Sequence, residues 1–496
     1  MSTATVLREA RLAAGATPQD VLIVDGHVAA IGDLHDAPDG SDEVRVGGRF
    51  VLPGLWDHHV HFDQWGQVRA RLDLSSADSA ASAARLLADQ LDRRGRDPAT
   101  PLIGYGFRDA LWPDLPHREL LDRVADDVPV VLVGADLHCA WLNTAALRRF
   151  GADVAQTGLL REDAAMRVIG DAAVVDQDAG DAMAGDAAHA AAARGVVGIV
   201  DMEKPWPLPA WRRRIAAGQR TLRVVSSVWS ACVDSAIAQE LHTGDVVDDT
   251  WGLLTVGPLK VITDGSLNTR TAFCHDAYAG VPGDADCFGL SLVSETDLMQ
   301  RMRQATDAGL ACAVHATGDR ANALALRAFA QTGARGSIEH AQLLDDTDIG
   351  RFAQLGVVAS VQPEHAMDDR DVADRYWAGR TRRAFALRSL LDAGAVLALG
   401  SDSPVAPLDP WIAIAAAVHR TRDDRERWHP EQEITIEEAL LASMPPARRN
   451  LTIRVGDPAD LIVLDADPFT AAPAVIRAMP VAATMVAGRW THQTAL

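Results

Sequence analysis

The chain has 496 residues, 48% of them hydrophobic and 23% charged, a globular mixture that excludes a disordered or fibrous protein and leaves room for two or three folded units. Asp and Glu number 68 against 47 Lys and Arg; the net charge of -21 repels phosphate backbones and anionic lipid, so neither nucleic acid nor a membrane is an expected partner. Five cysteines without a CxxC spacing exclude a disulfide scaffold, and with no secretory leader pattern and no 18-residue apolar run they point to a cytoplasmic protein.

In chain order, residues 4 to 53 read as short strands, broken by the turn pairs Asp25-Gly26 and Gly47-Gly48. The stretch Leu55 to His61 reads as a buried strand. From about residue 72 to 190 no clear rhythm follows. Thereafter a helical stretch, a glycine and a short apolar strand recur, with breaks at Gly195, Gly309, Gly333, Gly356 and Gly394 and with Ser294-x-x-Asp297 as a helix-start signal. Adding Leu55 to His61, Leu222 to Val228 and Leu259 to Thr263 gives eight strands, the number that closes a (β/α)₈ barrel. An open doubly wound sheet is disfavoured because Gly104-Tyr105-Gly106 lacks the third glycine of a phosphate turn. Asp460 to Leu464 and Ala482 to Val486 again read as strands. The expected organisation is therefore α/β: a composite β-sandwich from residues 1–53 and 450–496, and a barrel over 54–449 with an insertion at about 72–190 between its first two strands.

Side chains at the C-terminal ends of barrel strands face the active-site mouth. His59 and His61 end the first strand two residues apart and so point the same way, with His58 opposed. His315, His340 and Asp402 hold the equivalent place in later units. Neutral imidazoles and a carboxylate are the donors Zn²⁺ and related divalent ions prefer. Lys260 lies inside an apolar strand, where an ammonium must be compensated by Asp264 or another acid, or be carboxylated to a carbamate able to bridge two metals.

These residues sit in a series that resembles the amidohydrolase superfamily, family 3, of the formamide deformylase-like kind. The series runs LPGLWDHHVH at 52–61, LDRVADDVPVVLVGADLHCAWLNTAAL at 121–147, TGLLRE at 157–162, LKVITDGSLNTRTA at 259–272, VHATGDRA at 314–321, IEHAQ at 338–342, GSDSPV at 400–405 and GDPADLIVLDADP at 456–468. The resemblance implies one or two divalent ions, Zn²⁺ first. His59 and His61 would bind the first, a carboxylated Lys260 would bridge, His315 and His340 would bind the second, and Asp402 would ligate and shuttle the proton. It also implies a pocket segment carrying His138, Trp141 and Asn143, with plain packing as the alternative, and Glu162 as an extra acid. His365, just past the seventh strand, is a further pocket candidate or else a solvated loop histidine; Trp65, Trp112, Trp141 and Trp377 are aromatic-wall candidates or packing anchors. The chain departs from the family at SMPPARRNLTIRVGDPAD, where Pro445-Pro446 interrupts an expected helix.

The implied reaction is hydrolysis of a C–N bond in an amide, formamide or cyclic amide by a metal-activated water, with Asp402 as proton shuttle. The alternatives are a mononuclear esterase or deacylase and a non-catalytic metal-binding regulator; a serine hydrolase is excluded because no GxSxG elbow exists. The expected partners are a small-molecule substrate and, as an option left open, further copies of the chain.

Overall fold

The structure is a computed structural model that describes residues 4–34, 38, 40–109, 112–134, 139–152, 157–173, 175–280, 287–445, 447–494 and 496. Eight parallel strands follow one another around a barrel: β1 (Leu55–Val60), β2 (Val196–Asp201), β3 (Arg223–Trp229), β4 (Leu254–Ile262), β5 (Cys312–Ala316), β6 (Gly336–His340), β7 (Val358–Val361) and β8 (Leu397–Leu399). The ring closes where Val60 bridges Ser403 in parallel sense and the His61 N–H donates to the Ser403 carbonyl at 2.8 Å. Helices join successive strands because each unit stops at a glycine that can adopt a left-handed conformation: Gly333 and Gly356 cap their helices at φ of 67° and 65°. The Ser294 hydroxyl accepts from the Asp297 N–H, as the sequence pattern anticipates.

One strand starts earlier than its sequence suggests. β4 begins at Leu254 rather than Leu259 and runs through Gly257-Pro258, a pair that ordinarily ends a strand. The register explains it: Ser226 pairs with Val256 and Val228 with Leu259, so two residues of β4 face one of β3 in a bulge. Lys260 is thereby fixed just beyond the bulge.

The two chain ends build one apolar core. His27–Gly32, Gln19–Val24, Ala4–Ala10 and Asp42–Arg45 form one sheet; Phe50–Pro53 pairs with Leu461–Leu464, Val481–Val486 and Arg489–Gln493 in the other. Gly47 and Gly48, both at positive φ, form the break the sequence suggests, and the strands on either side of it belong to different sheets. Leu7, Val21, Ile23, Leu461, Val463 and Met485 share the buried interior, which makes the sandwich composite.

Phe62–Ala187 form a separate compact unit. Within it, Leu72–Asp73, Leu102–Phe107, Val130–Gly134, Cys139–Leu142 and Leu159–Arg161 make a five-stranded mixed sheet. Leu87 and Leu91 of the helix Ala80–Arg94 pack on it with Leu102, Phe107, Leu132 and Trp141. No helix among the described residues is long and apolar enough to cross a membrane.

Candidate active site

The pleat of β1 sorts three adjacent histidines. His58 turns to the outer face, where its Nε2 donates to the Met444 carbonyl at 3.0 Å, while His59 and His61 turn inward. The loop after β8 is drawn against this strand: the Asp402 N–H donates to the His59 carbonyl at 2.8 Å. The approach is possible because residue 400 is glycine; a Cβ there would sit 2.7 Å from the His59 nitrogen and 2.9 Å from its Cβ. The buried Asp57 carboxylate ties the same two segments, accepting from the N–H groups of Ser401 at 2.9 Å and His59 at 3.1 Å.

Asp402 is the centre of the cluster. Its Oδ1 lies 3.5 Å from His59 Nε2 and 3.4 Å from His61 Nε2, and its Oδ2 lies 4.0 Å from His365 Nε2. Two sets of potential donors share it, His59, His61 and Asp402 on one side and His340, His365 and Asp402 on the other, with the donor atoms of each set within 4.8 Å of one another. Lys260 Nζ is 3.3 Å from His59 Nε2. The His340 ring lies 5.1 Å from that of His59 and 4.3 Å from that of His315, the latter pair edge to face. His59, His61, Lys260, His315, His340 and Asp402, spread over more than 340 residues of chain, are therefore neighbours. His340 and Asp402 reach their places at φ of 73° and 56°, the left-handed region that side chains other than glycine rarely occupy. Such strain concentrates where function fixes a side chain.

The donors fit a cation. His59 Nδ1 donates to Glu339 Oε2 at 2.6 Å, which presents the lone pair of Nε2 to Lys260 and Asp402. His61 Nδ1 and His365 Nε2 are buried without a hydrogen-bond partner among the described residues, an arrangement that costs free energy unless something satisfies them. Burial, followed by the charge on Lys260, pushes His59 below the usual imidazole range and His315 down to about 3. Burial likewise lowers His340 and Lys260. Burial opposes ionisation of Glu339 and Asp402 too, yet hydrogen bonding and charge from the neighbouring histidines outweigh it, holding Glu339 at about 2 and Asp402 well below the usual carboxylate range. His61 is the exception: burial lowers it, but the hydrogen bond and charge of Asp402 outweigh burial and raise it above the usual imidazole range. A divalent ion, which requires neutral imidazoles around ionised carboxylates, would displace a proton there.

Several expectations change. Asp264 does not pair with Lys260: its carboxylate accepts from the N–H groups of Phe273, Thr317 and Gly318 and lies 3.5 Å from His315 Nε2. The acids facing Lys260 are Glu339 and Asp402. Glu339, next to His340 in IEHAQ, went unrecognised because nothing in a single sequence separates a histidine-orienting carboxylate from a strand residue; its position inside an apolar strand was the available signal. His365 is no solvated loop residue. It lies buried in the first turn of the helix Pro363–Tyr376, stacked near His340 with ring centroids 6.2 Å apart.

Asn143 caps the helix Thr144–Arg149. Its oxygen accepts from Val130 and Ala146, and its amide donates to the carbonyls of Ala125 and Val128. That exhausts its hydrogen-bonding capacity, and it replaces the expected pocket role with an architectural one. Trp141 is fully buried between Phe107 and Trp112, and Trp377 is fully buried as well, so both are packing anchors; Trp65 is nearly so. His138 lies outside the described residues, as does the side chain of Glu162 at the start of the helix Glu162–Ala173.

Residues 43–492 match the profile of the Amidohydrolase family. The chain is 26% identical to the N-substituted formamide deformylase of Arthrobacter pascens over 95% of this chain and 94% of that protein. It is 28% identical to the Protein LONG AFTER FAR-RED 3 of Arabidopsis thaliana over 83% and 76%. A solved structure of a metal-dependent hydrolase from Pyrococcus horikoshii superposes with a TM-score of 0.80 at 25% identity, covering 95% of this chain and 99% of the other.

Proposed function

Because the chain belongs to the amidohydrolase family of metal-dependent hydrolases, we propose that it cleaves a C–N bond in a small amide, formamide or cyclic amide, with Asp402 as the proton carrier. The observation that carries this reading is the convergence of two histidine pairs on one carboxylate at the barrel rim. The near full-length similarity to a protein named for formamide deformylation supports the bond type.

His59, His61 and Asp402 would hold a divalent ion, Zn²⁺ by donor preference, and His340, His365 and Asp402 would hold a second; such an ion would act as a Lewis acid and lower the pKa of water from 15.7 toward about 7. The protein's own groups do the rest. Asp402, ionised and within 3.5 Å of both His59 and His61, takes the proton of the attacking water and returns it to the leaving nitrogen. Glu339 holds the His59 ring through Nδ1, and Asp57 holds the backbone on which His59 and Asp402 meet.

A one-ion reading is favoured by one observation: the buried Lys260 faces two carboxylates, Glu339 and Asp402, which suit an ammonium ion better than an additional negative carbamate. Metal content per chain, measured after purification with and without bicarbonate, separates the two forms. The function itself is tested by turnover of N-formyl, N-acyl and cyclic amides. Asp402→Asn should keep its fold and lose about 10² to 10⁴ in rate; full activity in that variant rejects the role given to Asp402.

A further inference from the structure

The segment SMPPARRNLTIRVGDPAD, which departs from the family pattern, does not contribute to the His/Asp cluster. It walls a cavity of about 450 Å³ that also takes in Gly54 and Trp56 at the start of β1 and Val197 at the start of β2. These are the N-terminal ends of the barrel strands, so the cavity lies at the opposite end of the barrel from the His/Asp cluster. Its size falls within the range of small-molecule sites.

The lining has two kinds of surface. One is flat and apolar: the half-buried Trp56 indole lies against residue 198, where only a glycine leaves it room, since a Cβ would come within 2.3 Å of the ring; Pro445 and Pro458 stand around it. The other is cationic. Arg448, Arg449 and Arg454 all line the cavity, in a chain whose net charge is -21. The two acids in the wall are already engaged: Asp457 takes the Arg448 guanidinium at 3.1 Å, and Asp460 is held by two nitrogens of Arg223. Arg448 is further fixed by the carbonyls of Asn450 and Thr452, so its position is set by the loop. Arg454 is exposed, and its guanidinium has no hydrogen bond or ion pair among the described residues; Arg449, also exposed, reaches the Arg448 carbonyl at 3.4 Å. Planar guanidinium groups pair with phosphate and carboxylate in a two-pronged geometry, and an indole face receives a planar ring.

We propose that this cavity at the base of the barrel binds a small planar aromatic anion, with the ring on Trp56 and the phosphate or carboxylate on Arg449 and Arg454. The site is independent of the hydrolytic reading, because none of its residues belongs to the His/Asp cluster.

The test is calorimetric titration of the full-length metal-loaded protein with 1-naphthyl phosphate, 1-naphthoate, neutral 1-naphthol and inorganic phosphate. The expected result is saturable binding of one naphthyl anion per chain. It should be at least tenfold tighter than for 1-naphthol or phosphate alone and should weaken as salt rises. Arg454→Ala and Arg449→Ala should each lower affinity by tenfold or more while circular dichroism shows the fold unchanged, and Trp56→Leu should remove the advantage of the ring. The preference between the phosphate and carboxylate probes identifies the natural head group. Absence of saturable binding by either anion overturns the proposal. So does affinity that both arginine variants leave unchanged, because the probe would then be bound elsewhere.

Discussion

Glu339→Gln isolates the contribution of a carboxylate that touches no reacting atom. Glu339 is 1% exposed and accepts from His59 Nδ1 at 2.6 Å and from the Ser337 hydroxyl, while its charge faces Lys260. Glutamine preserves the volume but has one acceptor oxygen where glutamate has two. If that oxygen serves His59, the amide N–H₂ meets Ser337; if it serves Ser337, two donors confront each other at His59 Nδ1 and the ring must turn. In either arrangement a charge-assisted bond becomes neutral and about half as strong, and Lys260 loses one of its two counter-charges. Loss of a carboxylate that orients a ligating histidine typically costs about 10- to 100-fold in metal affinity or activity, or roughly 1.4 to 2.7 kcal/mol. The double engagement of Glu339 places this variant toward the larger figure. Chelator-competition titration gives the metal affinity, turnover of a responsive amide gives the rate, and circular dichroism checks the fold. A folded variant with parental affinity and rate would refute the claim that Glu339 sets the His59 tautomer.

Chelation should abolish turnover and lower the unfolding midpoint, with both restored by Zn²⁺; an ion present at 100 times its Kd stabilises the fold by about 2.7 kcal/mol. Identical melting curves with and without metal would contradict the fit of the donor set. Gly400→Ala places a methyl 2.7 Å from the His59 nitrogen and should cost about 1 to 3 kcal/mol while reducing metal loading, although no donor is altered. Normal loading and an unchanged midpoint would show that the loop can move aside. Asn143→Ala removes a helix cap and leaves buried backbone groups unpaired, a loss of at least about 3 kcal/mol visible in denaturant titration. A raised KM at unchanged stability would instead restore the pocket role that the sequence suggested.

The barrel was legible because its rule repeats: helix, glycine, apolar strand, polar residue. A histidine or aspartate at the end of several such units falls on one rim by topology, with no distance needed, and this brought His59, His61, His315, His340 and Asp402 onto one list. What the sequence could not show was pairing across strands. Lys260 was correctly seen as a buried charge in need of compensation, but its partners depend on which strands stand beside and across from β4, so the sequence could offer Asp264 or another acid at the mouth without singling out Glu339 and Asp402. His365 stayed open between a pocket residue and a solvated loop histidine because proline at residue 363 follows a strand and reads as a break, whereas here it opens a helix whose first turn points at Asp402. Asn143 shows the converse case: a polar residue in a family segment drew a pocket reading beside the plain packing one, and its four hydrogen bonds are all spent on the backbone around it.

The features least expected of a stable barrel lie together in its site. Left-handed backbone at His340 and Asp402 costs of order 1 to 3 kcal/mol each. Unpaired imidazole nitrogens at His61 and His365 and a buried Lys260 add to that cost. They persist because the surroundings leave no alternative. Asp402 is clamped to β1 by its own N–H and by the Asp57 bridge to Ser401, and the chain after His340 is held by the Leu343 N–H on the Thr317 carbonyl and by the Phe385 N–H on the Gln342 carbonyl. Relaxing either strained residue would break several of these bonds at once. The parallel sheet supplies that over-determination, and a cation shared by the imidazoles would recover part of the cost by satisfying the His365 nitrogen and screening Asp402 from Glu339. On this argument the strain and the metal are linked: substitutions that relax the rim backbone should raise the stability of the metal-free protein and weaken its hold on the ion.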